Sequence, residues 1–291
     1  MQKNQLIVAS TNRELYTTKR LLTEARSLSF EPTYLNPYQT SLLLTSSYPN
    51  MGEKKLYLHR TTGVNFDDYD LVVSQFFENQ GHQISNPLSS IEKLRNKDRQ
   101  ILHLKNLQLP LIESLTIKGP LTEEAYKEIA FMQQKFQTQS FILKNIRGNK
   151  GIGVSLIHGV DSLISLLETF QAMNDQRMMI QPYIPHEKEF RVVMSRQNCL
   201  TVIEKTTSKN DFRANANRAE KITVGHLPEK TMKQCLTVME QFKLDHAGID
   251  ILISENLGPI FIEVNPILGF EQAEELSKVN IAKEMIVQLM K

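Results

Sequence analysis

Two short runs near the C-terminal end, AGIDILIS (247–254) and GPIFIEVN (258–265), are separated only by Glu255-Asn256-Leu257. Both are short and mostly apolar, and the join ends in Gly258, the pattern of two strands and a hairpin loop of a few residues. Glu263 and Asn265 are two residues apart, so they project from one face. Closing the hairpin brings Asp250 opposite them. Two facing carboxylates on a mostly apolar sheet repel, and burial raises the penalty. A divalent cation removes the conflict, and an all-oxygen set of Asp, Glu and Asn suits Mg2+ or Mn2+. Three protein ligands leave coordination positions for phosphate oxygens. For the isolated pattern, a solvated hairpin face with incidental acids is the competing reading.

The rest of the composition narrows the classes. A chain of 291 residues can bury one large core or two to three small ones. Its charge of +2 is too small to argue for a nucleic-acid partner, and its basic residues are dispersed. Two cysteines, Cys199 and Cys235, exclude a disulfide framework and a cysteine-based zinc site. No stretch approaches the roughly 18 apolar residues of a membrane span. The N-terminal apolar stretch is too short for a signal peptide, so a cytoplasmic location is expected.

LIVAS (6–10) reads as a buried strand, followed by a helix around Leu15 to Ala25, and DLVVSQFF (70–77) reads as a second strand. Pro32 to Gly63 reads as loops with short strands. A helical pattern begins at Ser89, and Thr122 is placed to cap a helix with Ala125, Ile129, Met132 and Phe136 on one face. Strands follow at QSFILKN and IGVSLIHG, then a helix capped by Asp161, then strands at RMMIQPYI, EFRVVM and CLTVIEK. Pro228 opens a helix, the hairpin follows, and Ser277 to Met290 closes the chain as a helix. The fold class is α/β (α+β): an antiparallel sheet mixed with helices, beyond a smaller parallel α/β domain.

Several residues are placed for phosphate chemistry. The glycine-rich loop Arg147 to Gly153 lies between two strands, where Gly148 and Gly151 let backbone N–H groups approach phosphates. It is not a Walker A loop, because no Ser or Thr follows Lys150 and a strand comes next. Lys144 enters this flap and could reach a phosphate; an ordinary flexible hairpin is the alternative. Alternation in EFRVVM puts Glu189, Arg191 and Val193 on one face, with Arg191 suited to a transferring phosphoryl group or to a salt bridge. Arg213, Asn215 and Arg218 form a basic loop suited to a carboxylate or phosphate, or merely solvated. The seven histidines show no paired metal spacing, and neither cysteine has a local partner.

Five blocks in order, LRNKDRQIL, FILKNIRGNKGIGVSLI, MMIQPYIPHEKEFRVVM, NDFRANANRAEKI, and AGIDIL with FIEVNPILGFE, resemble the ATP-grasp superfamily, most closely the RimK-like amino-acid ligases. The leading stretch also looks like that family's first domain. The resemblance implies an N-terminal α/β domain (1–90), a central ATP-grasp subdomain with the flap (91–178) and a C-terminal subdomain with the metal site (179–291). It implies that Lys97 and Lys144 contact ATP phosphates with Gly148 and Gly151, and that Gln181, Pro182 and Tyr183 form the hinge whose backbone reads adenine. Glu189 would lie near the ribose, and Asp250, Glu263 and Asn265 would hold Mg2+ (or Mn2+), two ions in all. Arg191, Arg213 and Asn215 would surround the γ-phosphate and an acyl-phosphate intermediate.

The implied activity is ATP-dependent joining of a carboxylate to an amine, releasing ADP and phosphate. The implied partners are an amino acid such as glutamate and a protein, peptide or small-molecule carboxylate acceptor; no nucleic acid or membrane is implied, and assembly into a homo-oligomer stays open. Two departures stand out. Pro182 follows Gln181, where the family has Gln-Glu, and Ala219-Glu220 replaces a glycine pair near the expected substrate carboxylate. They support a second reading, an ATP-binding regulatory protein of the same fold without ligase turnover.

Overall fold

The computed structural model describes residues 4–45, 55–62, 67–148, 152–174, 177–206 and 221–290. The short apolar runs at the start form a four-stranded parallel sheet, with β1 (Gln5–Ala9) flanked by β2 (Glu31–Leu35) and β3 (Lys55–His59). Helices α1 (Tyr16–Ser27) and α2 (Tyr69–Asn79) make its crossovers, and β4 (Gln83–Ser85) completes the order β2-β1-β3-β4. Parallel neighbours need such crossovers, which is why helices alternate with strands here.

Helices α3 (Leu88–Leu94) and α4 (Lys97–Lys105) lead to a second sheet. It contains β5 (Leu115–Ile117), β6 (Ser140–Asn145), β7 (Val154–His158) and β8 (Met178–Pro182) in the order β5-β8-β6-β7, with antiparallel pairing throughout. A division at residue 178 would therefore cut off β8 from the sheet it pairs in. Helix α5 (Glu123–Phe136) and helix α6 (Val160–Asn174) complete this layer. The Thr122 hydroxyl accepts the Ala125 N–H at 3.3 Å, so the expected cap holds.

The third sheet is antiparallel in the order β11-β10-β9-β12-β13. Its strands are β9 (Lys188–Ser195), β10 (Asn198–Thr206), β11 (Lys221–Val224), β12 (His246–Ser254) and β13 (Gly258–Asn265). Helix α7 (Glu229–Gln241) presents Cys235 and Met239 to the apolar face made by Phe190, Val192, Ile249 and Ile251. On the other face, Val193 and Ile203 share a core with Leu6, Val8, Leu56 and Leu58 of the first sheet. Leu268, Phe270 and Met285 fill that core from the segments around α8 (Glu271–Ser277) and α9 (Ile281–Met290).

Four expectations are corrected. Residues 70–77 are helical: Asp70, Val73, Ser74 and Phe76 are buried at helical spacing, and the Ser74 hydroxyl meets the His59 ring Nδ1 at 2.8 Å. A short apolar run without alternation fits either element, and tertiary partners decide. Asp161 lies inside the first turn of α6 rather than capping it. The closing helix begins at Ile281 rather than Ser277: Ser277 ends α8, Lys278 follows with φ 61°, and the Asn280 side chain accepts the Lys283 N–H at 2.9 Å. The short strands β4, β5 and β11 have three or four residues each, too few to show a pattern.

The first and third sheets are clamped by Asn86, which is fully buried. Its Nδ2 donates to the carbonyls of His246 (2.8 Å) and Pro266 (2.7 Å), and its Oδ1 accepts the N–H groups of Asp245 and His246. Truncation would leave buried backbone groups unsatisfied, each costing about 1–3 kcal/mol. Asn86→Ala is therefore expected to lower the unfolding free energy by at least about 3 kcal/mol in urea denaturation.

Candidate active site

Register across the third sheet aligns three charged residues. Arg191 on β9 pairs with Asp250 on β12, and Asp250 pairs with Glu263 on β13. Gly248 stands opposite Asn265, so Asp250, Glu263 and Asn265 face one another as the hairpin pattern requires. A β-bulge makes this work. Asp250 pairs with Glu263 while Ile251 pairs with Phe261, so Ile262 is an extra residue. The bulge sends Phe261 into the core and keeps Glu263 on the polar face.

Arg191 grips Asp250 with both prongs: Nε donates to Oδ1 at 2.7 Å and Nη2 to Oδ2 at 2.6 Å. Asn265 Nδ2 adds a third bond to Asp250 Oδ2 at 3.0 Å. Burial works to raise the Asp250 pKa, but Arg191, with help from Lys205 and Lys97, holds the carboxyl below its ordinary value. The Asp250 carboxylate in turn lifts the Arg191 guanidinium further above its ordinary value. On the far side, Lys97 Nζ meets Glu263 Oε1 at 3.1 Å and donates to the Gly148 carbonyl at 3.2 Å. One ammonium thus joins the acidic pair to the base of the glycine-rich loop.

Lys144 lies on β6 opposite Val154 and Met179 and is buried. Burial and the nearby Lys97 pull its ammonium down to about 8, against opposing pulls from Glu263 and Glu189. The neck of the loop closes where the Asn145 N–H donates to the Gly153 carbonyl at 3.0 Å. Gly153 has φ 73°, and a Cβ there would lie 2.5 Å from the Asn145 amide nitrogen, so only glycine fits. Gly148 keeps its place at the loop base; Gly151, Arg213 and Asn215 lie outside the described residues.

The hinge segment spends donors within the fold. Gln181 is buried and spends its Nε2 on the Ser114 hydroxyl at 2.7 Å. Pro182 has no N–H, and the Tyr183 N–H donates to the Ser140 carbonyl at 2.9 Å. Any backbone N–H offered to a base therefore lies beyond Tyr183. Glu189 accepts from His186 at 3.1 Å, and His186 Nδ1 lies 2.8 Å from the Ile184 carbonyl. Burial opposes the imidazolium, yet Glu189 and that carbonyl raise its pKa.

Two further residues lie beside the site. His186 has no metal-type spacing in the sequence, but its i,i+3 spacing to Glu189 is a local signal. Lys205 pairs opposite Glu189 on β10 and is buried, its pKa lowered by burial and by Arg191. A lysine ending the apolar alternation of CLTVIEK was the available signal. Together Arg191, Lys97, Lys144 and Lys205 surround two carboxylates with four cations.

The donors also fit a divalent cation. Asp250, Glu263 and Asn265 offer hard oxygens from adjacent strands, as Mg2+ prefers. Among the described residues no cluster of three or more His, Cys, Asp or Glu side chains could hold a metal. A cation here therefore needs the Asn265 amide oxygen as its third protein donor.

The model of the RimK-like ATP-grasp domain matches residues 82–289. The chain belongs to the RimK-like ATP-grasp family. It is a mixed α/β ATP-grasp ligase, of the class that joins an acid to an amino acid by a carbon–nitrogen bond. A curated relative from Enterobacter sp. (strain 638), described as a probable alpha-L-glutamate ligase, is 25% identical over 292 residues, covering 97% of this chain and 94% of that protein. Among solved structures, the RimK domain ATP-grasp protein of Sphaerobacter thermophilus superposes with a TM-score of 0.72 at 15% identity, covering 99% and 100% of the two chains. The ATP-grasp ligase PsnB, solved with a minimal precursor, Mg and ADP, gives a TM-score of 0.71 at 15% identity and covers 99% of each chain. No described helix of this ligase is long and apolar enough to cross a membrane.

Removing the Asp250 carboxylate strands three donors, two of them on a charged guanidinium. Asp250→Ala is expected to cost about 2 kcal/mol, below the fully buried limit because the pair is partly exposed, while unfolding stays cooperative in urea.

Proposed function

We propose that this protein is an ATP- and Mg2+-dependent carboxylate–amine ligase that forms an amide through an acyl-phosphate intermediate. The amide joins an amino acid such as glutamate to a protein or peptide carboxylate. The observation that carries the reading is the aligned row Arg191–Asp250–Glu263–Lys97, which couples an acidic pair to the base of a glycine-rich loop.

A carboxylate acylates poorly because oxide would have to leave. Transfer of the γ-phosphoryl group of ATP to it gives a mixed anhydride, and attack by an amine then forms the amide and expels phosphate. Positioning and charge neutralisation supply the catalysis, so no protein nucleophile is required. Arg191 and Lys205 lie on the sheet face where a transferred phosphoryl group would be neutralised. Lys97 and Lys144 approach the phosphates from the loop side. Asp250, Glu263 and Asn265 would hold Mg2+, which when bound neutralises charge on the phosphate oxygens. His186 keeps Glu189 oriented, next to the strand end where a ribose would lie. The expected roles of Arg213, Asn215 and Gly151 belong to this proposal as well.

The relative's description as a probable alpha-L-glutamate ligase and the precursor-bound PsnB structure support an amino acid and a peptide as the substrate pair. Incubation with ATP, Mg2+ and pooled amino acids, with and without candidate peptides, should release ADP and phosphate and add mass to the acceptor. Glu263→Ala is expected to lower that metal-dependent turnover at least 100-fold; unchanged turnover would remove Glu263 from the site.

Lys144 gives an independent check. In the free protein its ammonium titrates at about 8, well below the ordinary lysine value, so it is largely neutral at about pH 9. A phosphate beside it favours the charged form and raises that pKa. Binding of Mg·ADP at about pH 9 is therefore expected to take up most of one proton, measured by calorimetry in buffers of different ionisation heat. Lys144→Arg should abolish the uptake.

A further inference from the structure

Four buried or largely buried arginines line the junction of the sheets, and three of them meet carboxylates. Arg95 binds Asp68 and Asp70, Arg147 binds Asp68, and Arg191 binds Asp250. Arg60 differs. It is 8% exposed, and its Nη2 donates to the backbone carbonyl of Leu268, while Nε and Nη1 have no partner among the described residues. Burial pulls its pKa down to about 10, with no carboxylate offsetting that pull. Beside it, His246 is buried with its Nε2 unpartnered, and its Nδ1 lies 3.2 Å from the Ser85 hydroxyl. Burial and Arg60 hold that imidazole down at about 3, so it supplies no negative charge. A buried guanidinium with two idle donors is costly unless an anion completes it.

Its place in the fold says which anion. Arg60 follows β3 directly, and its N–H donates to the Ala9 carbonyl at 2.8 Å, extending the ladder at the carboxyl end of the parallel sheet. That end is where open α/β sheets take ligands. Alternation puts Arg60 on the same face as Leu56 and Leu58, the face packed against Val193 of the third sheet. The carbonyl it holds belongs to the loop that begins right after Asn265. Leu268 of that loop sits over Gly248, where a Cβ would lie 2.9 Å from Leu268 Cδ1 and 3.7 Å from Arg191 Cδ. Arg60 is thus one side chain removed from Arg191, yet outside the row of cations that faces phosphate.

An amino acid that reacts through its amine keeps its own carboxylate, which needs a cation not already engaged by phosphate. We propose that Arg60 binds the α-carboxylate of the amine-bearing amino acid through a donor that the fold leaves idle, with His246 Nε2 closing the pocket. This rests on the ligase reading above and names a substrate site within it.

The test is calorimetric titration of the full chain, with Mg·ADP bound, by each common L-amino acid. For the amino acid that binds tightest, Arg60→Met should weaken affinity at least 30-fold, while Mg·ADP affinity stays within threefold. Arg60→Lys, which keeps the charge but not the planar guanidinium, should lose about tenfold. The α-carboxamide analogue should bind the unaltered protein at least 30-fold more weakly than the acid, a comparison that stands even if the variants fail to fold. Equal binding of acid and carboxamide, an unaffected Arg60→Met, or no amino-acid binding by protein that holds Mg·ADP would each overturn the proposal. Failure to bind Mg·ADP would instead overturn the nucleotide-site reading, and this one with it.

Discussion

Two carboxylates sit between two cations across the third sheet: a guanidinium on β9, a carboxylate on β12, a carboxylate on β13 and then the ammonium of Lys97 arriving from α4. Two neighbouring acids on a sheet would repel, and here each is matched by a cation of the chain itself. Arg191, with help from Lys205 and Lys97, keeps Asp250 ionised, the form a divalent ion needs. The rest of the structure holds this row in register.

A second charged chain reaches the base of the glycine-rich loop. His59 meets Asp70 at 3.2 Å, Arg95 bridges Asp70 and Asp68, and Arg147 joins Asp68 at 2.8 Å. Arg147 Nε also donates to Asn96, the residue before Lys97. Burial works to raise the Asp70 pKa, but His59 and Arg95 pull it far below its ordinary value, so Asp70 stays charged throughout the useful pH range. The first sheet, the start of α4 and the base of the glycine loop are therefore tied by ion pairs rather than by apolar packing alone.

The hairpin was legible because its chemistry and its geometry agree: two short apolar runs, a glycine-ended loop and three oxygen side chains on one face. Lys144 and Arg191 were legible as charges set among apolar residues, whereas Lys97, flanked by charged and polar neighbours, came only through the family resemblance. Residues 70–77 were not, since LVV and FF read alike in either period, and the partners that make them helical, such as His59 for Ser74, come from another segment. Lys205 and His186 escaped because what marks them is a cross-strand or local acid whose position depends on register. Arg60 carries no local signal at all; its meaning lies in what the fold fails to place beside it.

The single extra residue in β13 has a consequence for how this sheet tolerates change. Ile262 lets an inward-facing phenylalanine and an outward-facing glutamate coexist one step apart on the same strand. Were Phe261, Ile262 and Glu263 to run as a regular strand, alternation would give Phe261 and Glu263 the same side, and either the core or the cleft would receive the wrong chemistry. A change that ironed out the bulge would therefore turn over every side chain beyond it.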